Sequence, residues 1–229
     1  MKNFIISFLA LCSFVSFASA QMGFEGTLTW SMKIPQLGDK ESPFVISSKG
    51  DKTLIHMDAG PTGAVDIYTD KSSHKTIMVM KAMSMGYEID TPDEPVKKED
   101  SKASKPKATG KKEKINGYNC EEYVCELEGE SEMSMWMTSD LKDNLIGVMA
   151  QALKKGMSSS GSHAGSGMEE LMKKGLAPIR TIITKDGKQQ AEMTFVSFES
   201  KTLSDDLFVV PTGINIMKMP AGMGKGMGQ

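Results

Sequence analysis

The sequence predicts an α+β fold: a curved antiparallel sheet, or open barrel, of about nine to ten strands wrapped over one or two helices. Three observations support this prediction. Most segments alternate apolar and polar residues with a period of two. Short turns connect most of these segments, as in antiparallel sheets. Helical periodicity interrupts the alternation once, and the apolar side of that helix needs a partner that the sheet can supply.

Residues 1–20 precede the first predicted strand and resemble a secretory signal peptide. A basic residue is followed by an apolar run that ends in Ala18-Ser19-Ala20, a small-residue cleavage site. The run is too short for a transmembrane segment, and Leu11 before Cys12 does not fit a lipid-modified cysteine. We therefore expect an exported chain, periplasmic or extracellular, with no transmembrane segment after processing.

The mature chain is predicted to be one mildly acidic domain. Removal of residues 1–20 takes away Lys2 and changes the formal net charge from −2 to −3. This mild acidity and the lack of a basic block on a folded segment argue against nucleic acid as the partner. We assign 21–219 to a single sheet-over-helix domain and 220–229 to a flexible tail rich in methionine and glycine.

The N-terminal half carries six predicted strands, since apolar residues such as Phe24, Leu28 and Trp30 alternate with polar ones. In order they are 22–34, two strands within 43–58 on either side of a turn, 64–70, 75–80 and 84–90. Residues 91–112 follow, with three prolines, many charges and no apolar cluster. This composition predicts a disordered, solvated loop rather than a domain boundary.

The C-terminal half begins with two more strands, 115–128 and 131–138. A helix over 141–155 follows, because Leu141, Leu145, Met149 and their neighbours recur at helical spacing. A disordered loop over 157–167 then leads to a second short helix. The remaining predicted elements are a hairpin over 177–200 with Asp186-Gly187 at its turn and a last strand over 206–211.

Several short motifs resemble the domain-of-unknown-function family 4412 of secreted bacterial proteins. The first lies in "INGYNCEEYVCELEGESEMSMWMTSDL" (115–141), the second in "DLFVVPTGINIM" (206–217), and "FEGTLTW" (24–30) resembles the opening strand of the family. The matching residues are Gly117, Tyr118, Cys120, Trp136, Asp140, Leu141, Phe208, Pro211 and Gly213.

This resemblance implies a fold similar to the periplasmic lipoprotein carriers (LolA-like), which hold acyl chains inside the sheet. It implies no activity, so no catalytic residue is carried over. The chain departs from the family pattern in its second cysteine, Cys125, and in its 20 methionines.

Cys120 and Cys125 lie five residues apart in a predicted strand. An odd separation places them on opposite faces, with Cα atoms roughly 16 Å apart, whereas a disulfide needs about 4.4–6.8 Å. We expect no bridge between them; a sharp bend that brings them together is the alternative. Their spacing excludes a C-x-x-C redox motif, and they lack the further Cys or His neighbours of a zinc site.

The methionines allow three interpretations, which we prefer in the order given: packing of the core, lining of a cavity for an apolar ligand, and binding of copper(I) by thioethers. By strand alternation, Met133, Met135 and Met137 share one face of their strand, Met78 and Met80 share a face, and so do Met83 and Met85. The candidates for lining are Met78, Met80, Met133, Met135, Met137, Leu145 and Met149. The weaker candidates for copper are Met217, Met219, Met223 and Met227 in and near the tail.

No pattern predicts catalysis or a cofactor. His56, His74 and His163 have no His or carboxylate neighbour at ligand spacing and are interpreted as surface residues. The sequence has no nucleophile elbow, zincin motif, P-loop or dinucleotide fingerprint. We therefore expect a non-enzymatic envelope binding module that shelters an apolar ligand or a lipid-modified partner. The alternatives are a methionine-rich copper(I)-handling protein and a structural envelope protein with a filled core.

Overall fold

The backbone forms one large open sheet in this computed structural model. The structure describes residues 24–38, 40–58, 60, 63–70, 72–90, 105–127, 131–141, 145, 149 and 164–218. Within these residues the strands are β1 (Gly26–Lys33), β2 (Ser42–Lys49), β3 (Lys52–Asp58), β4 (Ala64–Asp70), β5 (Lys75–Met80), β6 (Met85–Asp90), β7 (Lys107–Ile115), β8 (Tyr118–Leu127), β9 (Ser131–Thr138), β10 (Ala177–Lys185), β11 (Lys188–Ser200) and β12 (Asn215–Lys218).

The described strands are arranged in the order β12-β6-β5-β4-β3-β2-β1-β11-β10-β9-β8-β7. Neighbouring strands in the sheet are also consecutive along the chain, except for the pairs β1–β11 and β12–β6. The predicted open sheet is thus confirmed in its broad form. The β12–β6 pair is parallel, so the prediction of a wholly antiparallel sheet is wrong at this edge.

Local turn chemistry explains the long hairpin formed by β10 and β11. Asp186 and Gly187 both have positive φ, 52° and 70°, as the central residues of a type I′ turn require. Register shifts in the pairs β1–β11, β10–β11 and β10–β9 mark bulges. Bulges increase the local twist of a strand pair, which favours a curled sheet over a flat one.

Few helices are described. Leu145 and Met149 are in helical backbone, which agrees with the predicted helix over 141–155; the residues between them lie outside the described part of the chain. The helix α1 spans Ala164–Lys173. Short 3-10 turns occupy Pro35–Leu37, Lys81–Met83 and Asp205–Phe208.

Two predicted disordered loops are corrected at their ends. Residues 107–112 of the predicted loop 91–112 belong to β7, which pairs with β8 although its side chains are exposed up to Lys114. Main-chain pairing with an existing strand stabilises this segment without apolar burial, which composition cannot reveal. Residues 164–167 of the predicted loop 157–167 belong to α1. The rest of both loops lies outside the described residues, except residues 105–106, which belong to no helix or strand.

The predicted last strand over 206–211 is wrong. Asp205–Phe208 is a 3-10 turn whose N-cap is Ser204, and the side chain of Ser204 accepts a hydrogen bond from the backbone N–H of Asp206. The strand forms further along, at β12. With β7 and β12 added, the described residues contain twelve strands rather than nine to ten.

The main core lies on one face of the sheet, which we call the inner face and define by Met133, Met135 and Met137 of β9. Its buried residues extend from β1 to β4 and from β7 to β11, together with α1 and the two helical residues, and the cluster also includes Trp136 from the other side of the sheet. A smaller cluster of Leu54, Tyr68 and Val79 lies on the opposite, outer face.

Candidate functional site

The three methionines of β9 alternate along the strand and therefore share a face. Met133 lies opposite Cys125 of β8, and Met135 lies opposite Tyr123. On the other side Met133 lies opposite Ile183 of β10. All three methionines are at most 1% exposed, so this end of the inner face is closely packed.

Helical residues cover this packed end. Leu145 and Met149 are buried and belong to the same cluster as the β9 methionines. Met168, Leu171 and Met172 of α1 are buried in that cluster as well. The sequence prediction that a helix packs on the inner face is therefore confirmed for Leu145 and Met149.

The opposite half of the inner face is built from rows that run across β1 to β6. One row is aliphatic and includes Ile46, Ile55 and Ile67, which are buried, and continues to Met78. The next row continues from Val65 to Met80 and Met85. Met78 and Met80, both predicted as ligand lining, are only half-buried.

Aromatic rings occupy the middle of the inner face. The Trp30 ring makes edge contacts with Phe44 and Phe195, with ring centroids 6.0 and 5.8 Å apart. Phe24 stacks on Phe198 at 5.0 Å. Trp30 is half-buried, while Phe44 and Phe195 are buried, so an accessible indole is held on a rigid aromatic base.

A row of hydroxyl groups lies at one end of the same face. Ser48 of β2 is opposite Thr53 of β3, Thr53 is opposite Thr69, and Thr69 is opposite Thr76. All four are buried, and the hydroxyls of Thr69 and Thr76 are 3.3 Å apart. The inner face thus changes from apolar to polar at this end.

The first family motif forms a junction between strands and helix. The side-chain carboxylate of Asp140 accepts hydrogen bonds from the backbone and the side-chain amide of Asn119. Tyr118 lies against Phe195, with ring centroids 6.4 Å apart, and Leu141 is buried in the core. Gly117 has φ 89° in the turn before β8, a conformation that favours glycine.

Trp136, also a motif residue, lies on the outer face. The Arg180 guanidinium sits 4.9 Å from the centre of its ring and forms an ion pair with Glu113 at 2.6 Å. Next to Trp136, the buried Glu122 accepts hydrogen bonds from Ser134 and Thr109. Although burial alone raises its pKa, these bonds and Lys111 hold the pKa of Glu122 below its ordinary value.

The second family motif lies near the outer-face cluster. Phe208 packs against Leu54, Tyr68 and Val79 together with Val210 and Ile214. Pro211 and Gly213 are exposed between these contacts and β12. The motif therefore places the C-terminal segment across the outer face.

The sequence interpretation missed an ionic group around the buried Asp66 on the outer face. His56 Nδ1 lies 2.6 Å from Asp66 Oδ1, and Lys81 Nζ lies 2.7 Å from Asp66 Oδ2. Tyr68 donates a hydrogen bond to the same carboxylate at 3.1 Å. The interpretation of His56 as an unpartnered surface residue is wrong, because β3–β4 pairing places Asp66 directly opposite it.

These contacts and burial shift the pKa values of Asp66 and Tyr68. Burial by itself raises the pKa of Asp66, but hydrogen bonds and charges from Lys81 and His56 outweigh it, so the pKa of Asp66 is lowered. Burial, and then the Asp66 charge, raises the pKa of Tyr68. Since an ionised carboxylate only accepts, Nδ1 of His56 carries the hydrogen in this bond.

Cys120 and Cys125 are both buried in β8 and are not joined by a disulfide, as the strand geometry predicts. Burial raises the pKa of the Cys120 thiol. The Cys125 thiol donates to the Glu126 carbonyl at 3.7 Å. Both side chains serve the core.

Of the weaker copper candidates, Met217 lies in β12 opposite Tyr87 of β6. Met219, Met223 and Met227 lie outside the described residues, as do His163 and the predicted signal peptide. Within the described ranges, no three His, Cys, Asp or Glu side chains are grouped as a metal site would require. No helix in the part of the chain that the structure describes is long and apolar enough to cross a membrane.

The fold and the site together define an open-sheet protein with a methionine-rich apolar inner face packed by helices. The chain belongs to the family described as Domain of unknown function (DUF4412), whose model matches residues 24–214. The resemblance predicted from the short motifs is thereby confirmed. Among curated proteins, no sequence matches this chain.

Three solved structures are similar to this chain at low sequence identity. The Pseudomonas aeruginosa MucA/MucB complex gives a TM-score of 0.45 at 8% identity over 95% of this chain and 63% of that chain. MucB in complex with MucA(peri) gives 0.44 at 8% identity over 93% and 62%. The LolA superfamily protein NE2245 from Nitrosomonas europaea gives 0.33 at 10% identity over 90% and 98%. This chain thus spans less than two thirds of the first two chains.

Proposed function

We propose that this protein is an exported, non-enzymatic binding module that holds one acyl chain, free or attached to a partner protein, against the inner face of its sheet. The observation that carries the proposal is a contrast along that face. Met133 and Met135 are fully buried under helical residues, whereas Trp30, Met78, Met80 and other apolar side chains are half-buried. An apolar ligand can contact the half-buried part without unfolding the packed part.

The residue types at the half-buried part suit an acyl chain. Trp30 offers a large rigid surface fixed by Phe44 and Phe195. Met78 and Met80 offer unbranched thioether side chains that adapt to irregular shapes. Each Å² of apolar surface removed from water contributes about 25 cal/mol, so contact along several of these side chains supplies a useful binding free energy.

The hydroxyl row fits the polar end of such a ligand. Ser48, Thr53, Thr69 and Thr76 are separated from the row of Trp30 and Met80 by the aliphatic row that contains Ile46 and Ile67. An acyl ester or carboxyl group needs hydrogen-bond donors once it leaves water. All four hydroxyls are buried, so the carbonyl end of a ligand reaches this row when the Thr69–Thr76 contact opens. The polarity of the face then gives the ligand a direction, with its carbonyl end toward the hydroxyls.

The two tryptophans permit a direct test. The chain has two tryptophans, Trp30 on the inner face and Trp136 on the outer face. A Trp136→Phe variant reports from Trp30 alone, and a Trp30→Phe variant reports from Trp136 alone. Brominated fatty acid and a brominated diacyl lipopeptide serve as the two probes, since bromine quenches indole fluorescence at contact.

We expect quenching of Trp30 and none of Trp136. A response to fatty acid indicates a free lipid as the natural ligand, and a response to the lipopeptide alone indicates a lipid-modified protein. Equal quenching of both tryptophans means unspecific adsorption and contradicts the proposal. Quenching of neither leaves a structural module with a filled core, the alternative that the full burial of Met133 and Met135 favours.

A further inference from the structure

We infer that the β5–β6 hairpin is a copper(I) site formed by the thioethers of Met78, Met80, Met83 and Met85. Four methionines occur within the eight residues Met78 to Met85, "MVMKAMSM". Met78 and Met80 also belong to the half-buried part of the inner face proposed to contact an acyl chain, but their close spacing with Met83 and Met85 is a separate feature. The inference concerns a second ligand of different chemistry and does not depend on that proposal.

Strand pairing brings these methionines together. Met80 lies directly opposite Met85 across the hairpin, where side chains of an antiparallel pair are close neighbours. Met78 is two residues before Met80 and shares its face. The prediction that Met83 shares a face with Met85 is wrong, because Met83 lies in the 3-10 turn between the two strands. Its side chain is 50% exposed.

The backbone of the hairpin is held in place by surrounding contacts. The Ser84 N–H donates to the Lys81 carbonyl at 3.1 Å, and the Ser84 carbonyl accepts from the Asn215 N–H at 2.9 Å. Ala82 packs closely on Gly63, where an added Cβ would lie 2.8 Å from the Ala82 Cβ. A rigid turn carrying flexible thioether arms lets several sulfur atoms reach one ion at a small ordering cost.

The charges around the hairpin also permit a cation to bind there. Lys81 is the basic residue of the turn, and its ammonium group is drawn to the outer face by the buried Asp66 carboxylate, 2.7 Å away. The positive charge is thereby neutralised on the side of the sheet away from Met78, Met80 and Met85. A cation bound by these methionines therefore does not face an uncompensated lysine.

The ligand type selects the metal. Thioether sulfur is a soft neutral ligand that favours copper(I) over the harder divalent ions. Met78, Met80 and Met85 are half-buried and Met83 is exposed, whereas Met32, Met57 and Met133 are buried in the core. Partial exposure leaves the hairpin sulfur atoms reachable from solvent, as entry of an ion requires.

The thioether ligands also determine how the copper(I) affinity depends on pH. Methionine binds without losing a proton, while thiolate and imidazole ligands must be deprotonated. Copper(I) affinity of the hairpin should therefore be constant between about pH 5.5 and 7.5. Binding through a thiolate or an imidazole would instead weaken as the pH falls.

The test is an anaerobic competition titration of the full chain with copper(I) and a chromogenic copper(I) chelator. We expect one equivalent to bind. The double variant Met80→Leu/Met85→Leu should lose at least tenfold in affinity, since leucine keeps the volume but has no sulfur. Circular dichroism and the urea midpoint establish that this variant is folded.

Two matched variants serve as controls. Met32→Leu alters a buried inner-face methionine, and the triple variant Met219→Leu/Met223→Leu/Met227→Leu alters the tail. Both should bind copper(I) as the wild type does. The inference is overturned if the wild type does not bind, if the hairpin variant binds normally, if the tail variant abolishes binding, or if affinity falls with pH.

Discussion

The carboxylate of Asp140 accepts two hydrogen bonds from Asn119, one from its backbone N–H at 2.8 Å and one from its side-chain amide at 2.9 Å. Thr138 donates to the Asn119 carbonyl at 2.8 Å and accepts from the Asp140 N–H at 3.1 Å. The start of β8 is thus tied to the end of β9. The motif residue Asp140 has a structural role at the point where the chain leaves the sheet for its helical segment.

Replacement of Asp140 should destabilise the fold. Asp140→Ala removes two hydrogen bonds to a charged acceptor, and we expect a loss of about 1.5–3 kcal/mol in the free energy of unfolding. Urea denaturation followed by circular dichroism measures it. The neighbouring exposed residue supplies the control, Ser139→Ala, whose free energy of unfolding should lie within about 0.5 kcal/mol of wild type. Equal losses in the two variants would show that the hydrogen bonds between Asp140 and Asn119 do not stabilise the junction.

Acid should weaken the ionic contacts of the buried Asp66. Because the pKa of Asp66 is lowered in the folded protein, its contribution is fully present above the unfolded pKa of about 3.9. That contribution is lost as the pH falls from there through the still lower folded pKa, when the carboxylate is protonated.

The Asp66→Asn variant isolates this contribution. It cannot ionise, so its stability should fall less steeply below about pH 4 than that of wild type, and at pH 7 it should be less stable. Urea midpoints measured from neutral pH into acid provide the comparison. Glu122 and Asp70 also have lowered pKa values, so part of the acid dependence should remain in the variant. Parallel curves for the two proteins would show that Asp66 contributes nothing.

Substitutions at Met149 should report how tightly the helix packs on the inner face. Met149 is 1% exposed and lies in the main core, so Met149→Trp should overpack and cost about 1–3 kcal/mol. Met149→Ala should cost roughly 2–5 kcal/mol. Met149→Leu conserves the volume and is the matched control, at under about 1.5 kcal/mol. Near-neutral Met149→Trp would instead indicate space beside this side chain.

The two cysteines of β8 should react only after unfolding. Both are buried, and burial raises the pKa of Cys120, which lowers the reactive thiolate fraction. A maleimide should label both residues in denaturant without reductant and label neither in the native protein over the same time. Mass spectrometry counts the labels. A peptide two hydrogens lighter and unlabelled would mean that the thiols had formed a bridge.

Local patterns in the sequence determined most of the strands. The alternation around Trp30 predicts β1, and the Asp186-Gly187 turn predicts the β10–β11 hairpin, because two positive φ values are needed there. From Leu141 on, the apolar residues change from a spacing of two to helical spacing, which predicts helical backbone at Leu145 and Met149. Such features depend on residues a few positions apart, which is the range over which a sequence specifies conformation directly.

Only the tertiary structure decided the rest, since it depends on which distant strands pair. β7 consists mostly of exposed residues and forms because β8 offers backbone partners, while the parallel addition of β12 to β6 follows from the path of the C-terminal segment across the outer face. The same pairing sets His56 against Asp66 and Met80 against Met85. The sequence by itself determined which residues alternate and turn, whereas register between strands determined which side chains meet.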